Sequence, residues 1–219
     1  MGLVCQSRIK VNIGLKVLSQ RDDGYYNIYT IFQELNFGDS IYIEKKDDGC
    51  KIISNVDWIP TDKSNICFKA YTAIKKEFSE IEGIHIKIDK KIPIGSGLGA
   101  GSANAGALLK GIKKLYKLGA TESMLEKIGG TIGADVPFFI KGKTQLGEGV
   151  GNKLTQISKT LIGTYLLVIP DISVSTEWAY SVIKNKLNPQ DKKANFSSFF
   201  NGDYSSLQFF ENDFERIVI

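Results

Sequence analysis

From Ile9 to Val17 every second residue is apolar (Ile9, Val11, Ile13, Leu15, Val17), the period of a strand with one covered face. Arg8, Lys10, Asn12 and Lys16 then project together from the other face. A turn is expected at Arg21-Asp22-Asp23-Gly24. Strands follow over 26–37 and 39–46, joined at Gly38-Asp39, with a short one over 50–54. Over 63–79 the spacing becomes helical, with Ile66, Ala70, Ala73, Ile74 and Phe78 in one stripe. Alternation returns in I-H-I-K-I at 84–88 and leads through Pro93 into a run of glycines. Helices are predicted from those glycines to about Leu118, ending at Gly119, and again over 121–129 and 175–185. Strands are predicted over 144–148 and 164–169, and the polar stretch 186–205 reads as loop. Near the end, Phe209, Phe210, Phe214, Ile217 and Val218 form an apolar stripe that needs covering. Strands and helices mix without regular βαβ alternation, so the fold class is α+β.

The segment IPIGSGLGAGSANAG at 92–106 holds Gly95, Gly97, Gly99, Gly101 and Gly106 at the mouth of a helix. Glycine admits positive φ and close approach of a ligand to main-chain N–H groups. A helix start adds unpaired donors and the positive end of the macrodipole, which favours an anion. Phosphate is the expected ligand. The segment is no Walker loop, because no lysine follows its glycines until Lys110, and it fails G-x-G-x-x-G because Ala100 stands at the third glycine. A plain strand-to-helix turn is the competing reading, disfavoured by the glycine density.

Composition narrows the chemistry. The net charge of +4 is spread over scattered lysine pairs (45–46, 75–76, 90–91, 113–114, 192–193), so no nucleic-acid partner is indicated. Cys5, Cys50 and Cys67 lack metal-site spacing and suit reduced thiols in the cytoplasm. No apolar run reaches membrane-spanning length, and Gln6 stands where a myristoylation signal wants Ser or Thr. A single histidine, His85, centred in an alternating strand, is expected to face solvent or pair locally; serine-histidine and zinc mechanisms lose their support. Asp135, between Gly133-Ala134 and Val136-Pro137, is the preferred acidic candidate, with an N-cap or turn role left open. Oligomeric state is not legible.

Residues 8–15 (RIKVNIGL), Gly24-Tyr25, 31–41 (IFQELNFGDSI), 93–104 (PIGSGLGAGSAN), 133–139 (GADVPFF) and 147–151 (GEGVG) together resemble the GHMP kinases, from about residue 7 to residue 216. The likeness is greatest to those members that phosphorylate a cytidine-diphosphate-linked methylerythritol in the non-mevalonate isoprenoid route. The resemblance implies a ribosomal-protein-S5-like N-terminal domain over 1–155 and an incomplete start of a C-terminal domain over 156–219. It implies ATP as phosphoryl donor, with Mg²⁺, and the 2-hydroxyl of the polyol as acceptor. Asp135 falls on the catalytic position and Lys10 on its partner. Pro93, Gly95, Gly97, Leu98, Gly99, Gly101, Ser102, Asn65 and Lys90 fall on nucleotide positions, and Asn12, Tyr25, Tyr26 and Tyr180 on substrate positions. Tyr26 replaces a histidine, Ala103 a loop serine and Ile9 an alanine. A third glycine-rich motif of the family lies beyond these 219 residues, so an incomplete site is expected. The alternatives are a mevalonate- or homoserine-type kinase, a silent nucleotide-binding fragment, or a scaffold without ligand.

Overall fold

A computed structural model describes residues 2–170, 174–183, 196–205 and 210–218. The chain forms two compact units: Met1–Ile9, Leu35–Ile94 and Gly99–Lys141 in the first, and Lys10–Glu34, Gly95–Leu98 and Gly142–Ile219 in the second. Two long strands, β1 (Gly2–Gln20) and β2 (Tyr26–Lys46), contribute to both.

In the first unit β2 pairs antiparallel with β4 (Gly83–Asp89), from Ser40 opposite Asp89 to Lys46 opposite Gly83. Strand β3 (Cys50–Ser54) runs parallel to β4. Helices α1 (Ile66–Glu77), α2 (Ala100–Tyr116), α3 (Glu122–Gly130) and α4 (Val136–Lys141) supply the other side of an apolar core that includes Ile41, Ile43, Ile84, Ile86, Ile74, Leu108 and Ile112. Thr121 caps α3 through the amide of Met124. The α4 turn was not expected from sequence. It packs on α2 at Gly106, where a Cβ would lie 2.7 Å from that of Phe139.

Two boundaries differ from expectation. Strand β2 runs unbroken through Gly38-Asp39. Gly38 has φ +152° because the Ser7 carbonyl of β1 lies 2.0 Å from where its Cβ would be, so this glycine admits a crossing backbone instead of a turn. Helix α2 ends at Tyr116, and Lys117, a left-handed cap whose N–H reaches Lys113 O and Lys114 O, stands two residues before the expected Gly119. His85 pairs locally as expected: its Nδ1 lies 3.2 Å from Glu44 Oε1, and that contact holds the Glu44 carboxyl below the usual range.

The second unit carries the remainder of β1 and β2, joined by the Arg21–Gly24 turn. Here β2 pairs antiparallel with β5 (Thr144–Glu148), which pairs with β6 (Lys153–Gln156). Helices α5 (Thr176–Ile183), α6 (Ser197–Asn201) and α7 (Glu215–Val218) complete it, around a small core of Ile31, Phe196 and Phe199. The strand expected over 164–169 does not form; the stretch is irregular and leaves Ile162, Leu166 and Val168 about as exposed as a free chain would. Its alternation marks a face to be covered, and no described strand lies alongside to supply hydrogen bonds. Helix α6 replaces part of the expected 186–205 loop; residues 186–195 lie outside the described residues, as do Phe209 and the Val218 side chain. Of the terminal stripe, Phe210 packs on Phe196 and Phe214 on Tyr180. Among the described residues no helix is long and apolar enough to cross a membrane.

Candidate active site

The glycine loop takes the backbone that its composition predicts. Gly95, Gly97 and Gly99 have φ of +75°, +72° and +69°, a region that costs other residues about 1–2 kcal/mol. Gly99 is the N-cap of α2, and no side chain caps the helix. Its early amides therefore remain for a ligand, apart from that of Ala103, which bonds Gly99 O. A Cβ on Gly97 or Gly101 would meet nothing within 4 Å, so packing does not explain either glycine. The Lys10 amide donates to Leu98 O at 3.0 Å and ties the loop to β1. Pro93 and Ile94 lead in from the exposed side.

Asp135 stands in the turn between α3 and α4, where the Val136 amide bonds Gly133 O. Among the described residues nothing hydrogen-bonds or pairs with its carboxylate, which is half-buried. The capping role left open by the sequence is thus not the one it plays. A Cβ on Gly133 would lie 3.9 Å from Ser102 Oγ and 3.5 Å from Val136 Cγ2, so the Asp135 turn lies beside the first turn of α2. A free carboxylate and an uncapped helix start share one neighbourhood.

Lys10 belongs to the second unit and is buried. Its Nζ donates to Asn12 Oδ1 (2.8 Å), Asn12 Nδ2 to Thr30 Oγ1 (2.7 Å), and the Thr30 hydroxyl to Gly14 O (2.6 Å). The Phe32 ring lies 5.3 Å from the ammonium. Lys16 of the same face pairs with Asp213 at 3.0 Å. Tyr26 is buried and stacks on Tyr180 at 5.5 Å between centroids, while Tyr25 is exposed. Asn65 caps α1, accepting from the Cys67 amide at 2.8 Å and donating to Pro60 O. The Lys90 ammonium lies 2.6 Å from Asp39 Oδ2, and 5.9 Å from the Trp58 ring. Sequence reading missed Thr30, Asp39, Asn55 and the buried Ser7–Asn104 hydrogen bond (2.6 Å). A polar residue inside an apolar run, as in Y-T-I-F, is the signal that could have found Thr30.

Residues 65–143 match the GHMP kinases N terminal domain. A protein from Geobacter sulfurreducens named 4-diphosphocytidyl-2-C-methyl-D-erythritol kinase is 35% identical over 218 residues, 99% of this chain and 77% of that protein. The chain belongs to the GHMP kinase family. A relative of the same name from Acetivibrio thermocellus is 41% identical over 179 residues, 82% of this chain and 63% of the relative. The chain thus spans a little under two thirds of the length of that curated relative. A crystal structure of 4-(cytidine 5'-diphospho)-2C-methyl-D-erythritol kinase superposes with TM-score 0.76 at 25% identity, over 99% of this chain and 76% of the other. Within this GHMP kinase sequence the glycine loop, Asn65, Lys90 and Asp135 fall inside the matched domain, and Lys10, Asn12, Tyr25, Tyr26 and Tyr180 outside it.

Proposed function

We propose that the chain transfers the γ-phosphoryl group of ATP to the 2-hydroxyl of 4-diphosphocytidyl-2-C-methyl-D-erythritol, an isoprenoid-pathway reaction carried out in the cytoplasm. One observation carries the chemistry: the unpartnered Asp135 carboxylate lies in a turn beside the uncapped start of α2. The names of the relatives carry the choice of acceptor. In this reading residues 1–155 are the nucleotide and acceptor domain and 156–219 belong to the C-terminal one.

The glycine loop suits a triphosphate on its own geometry, since Gly97 and Gly101 leave open space beside available amides. Pro93, Gly95, Leu98 and Gly99 shape that cradle, and Ser102 adds a hydroxyl. No group of three or more acidic, histidine or cysteine side chains suited to a metal occurs among the described residues. Mg²⁺ would arrive with the nucleotide and neutralise phosphate charge, and the Ser102 hydroxyl would help hold it. An alcohol is a far weaker acid than a carboxylic acid. Asp135 accepts the hydroxyl proton only as the oxygen–phosphorus bond forms, a role that typically contributes roughly 10²–10⁴-fold. Lys10, held by Asn12, orients the acceptor hydroxyl, and alignment plus phosphate neutralisation supply the larger share of the acceleration. Tyr26 and Tyr180 form the aromatic wall for the cytosine ring, with Tyr25 at its edge; Asn65 borders the nucleotide, and Lys90 is taken up by Asp39.

The test is a coupled ADP-release assay with ATP, Mg²⁺ and a panel of acceptors. Turnover with the cytidine-linked polyol, and none with mevalonate or homoserine, is expected. Turnover with either of the latter alone would replace this reading by another GHMP activity. ATP binding without turnover on any acceptor would make the chain a silent nucleotide-binding protein.

A further inference from the structure

Asp39 is fully buried in β2, and every part of its carboxylate is in use. Oδ1 accepts the amides of Lys91 (2.8 Å) and Ile92 (3.0 Å), and Oδ2 accepts the Lys90 ammonium (2.6 Å). The peptide of Lys90 is clasped separately by Asn55, whose Oδ1 takes its N–H (2.7 Å) and whose Nδ2 donates to its carbonyl (3.2 Å). Three consecutive residues are thereby pinned from two directions.

Their position gives the pinning its meaning. Strand β4 ends at Asp89, paired with Ser40, so residues 90–92 have left the ladder. Buried amides beyond a strand end need another acceptor, and Asp39 is that acceptor. Pro93 follows, with no N–H and a fixed φ, and then the glycine loop. Glycines are the residues that lose most freedom on ordering. A loop that must present several amides to one anion binds better when its ends are set in advance. Helix α2 sets the outgoing end at Ala100.

We infer that Asp39 is a positioning residue for nucleotide binding: it fixes the incoming end of the glycine loop without touching the nucleotide, and the Lys90 ammonium serves it as charge partner. This rests on the kinase reading above. The alternative is a buried pair that contributes to folding alone.

The experiment compares the 219-residue chain with D39N and D39N/K90M by ATP-dependent thermal shift and steady-state kinetics. D39N puts an amide NH₂ against the Lys90 ammonium; the double variant keeps a carbonyl oxygen for the two amides and leaves no ammonium unpaired. For D39N the ATP KM is expected to rise about tenfold or more, with the acceptor KM within about twofold and kcat within about threefold. For D39N/K90M the ATP KM is expected to return to within about threefold of the parent. Loss of kcat and melting temperature in D39N with both KM values unchanged would overturn the inference, leaving a structural pair. A double variant as weak for ATP as D39N would also overturn it, because Lys90 would then be the nucleotide contact. Should D39N fail to fold, D39A/K90M takes its place, since it removes the acceptor of the Lys91 and Ile92 amides and leaves no ammonium unpaired: an ATP KM raised about tenfold or more with kcat within about threefold is expected, and an unchanged ATP KM would overturn the inference. A parent that ATP does not stabilise would sink the nucleotide reading and this inference with it; equal ATP stabilisation of parent and both variants would sink this inference alone.

Discussion

Asp135 owes its candidacy to what does not touch it. A half-buried carboxylate with no partner among the described residues contributes little to the fold, so its removal should be felt in chemistry. For Asp135→Asn, kcat should fall by roughly 10²–10⁴-fold, with ATP affinity and melting temperature close to the parent's. Equal losses of turnover and melting temperature would make it a structural residue. The cysteines behave in the opposite sense. Burial pushes the Cys67 thiol up to about 12 and the Cys50 thiol up to about 11, and raises Cys5 as well. An unfolded thiol titrates at ~8.5, so above that pH the unfolded chain releases protons that the folded one keeps. Stability from these groups is fully present below about pH 8.5 and is lost as pH rises toward the folded-state values. Denaturant midpoints should therefore fall between pH 9 and 11 (about these values by the linkage relation), and less steeply in Cys67→Val. Iodoacetamide at pH 8 should label the native protein far more slowly than the unfolded chain.

At the scale of elements, caps and close approaches carry the argument. Asn65 makes two hydrogen bonds at the head of α1, so Asn65→Ala should cost about 1 kcal/mol in chemical denaturation. Gly101 and Gly106 sit in the first and second turns of the same helix with opposite surroundings. A methyl at Gly106 strikes Phe139, and Gly106→Ala should cost about 1–3 kcal/mol. A methyl at Gly101 meets nothing, and alanine is the better helix former by about 1 kcal/mol. Gly101→Ala should therefore leave the unliganded protein as stable or more so, while weakening ATP in calorimetry because the methyl occupies the ligand's space. Unchanged ATP affinity would remove Gly101 from the site.

For the whole molecule, the outstanding feature is the irregular stretch after β6 in the second unit. Ile162, Leu166 and Val168 are 91%, 89% and 80% exposed, which places large apolar side chains in water close together in sequence. The protein should bind the dye ANS and self-associate with rising concentration. L166E/V168E should reduce both, with little change in melting temperature, since neither side chain packs on anything it could lose. Dye binding unaltered by the double substitution would locate the apolar surface elsewhere.

Much of the architecture was legible because its causes are local. Alternation and helical spacing act over a few residues, and they located β3, β4, β5 and helices α1 to α3 to within a few positions. Glycine's tolerance of positive φ is also local, so the conformation of 95–99 followed from composition. Three things were decided only by tertiary structure. Gly38-Asp39 carries the signature of a turn, and only the crossing of β1 over Gly38 keeps β2 continuous and turns Asp39 inward. Lys10, Asn65 and Lys90 look alike in sequence as polar residues near a site, yet one is held by Asn12, one caps a helix and one neutralises a buried carboxylate. The strand pattern at 164–169 went unfulfilled because a strand needs a neighbour, and periodicity does not provide one. Short-range preferences are written in the order of residues; the partner of a buried polar group depends on which distant segments arrive beside it.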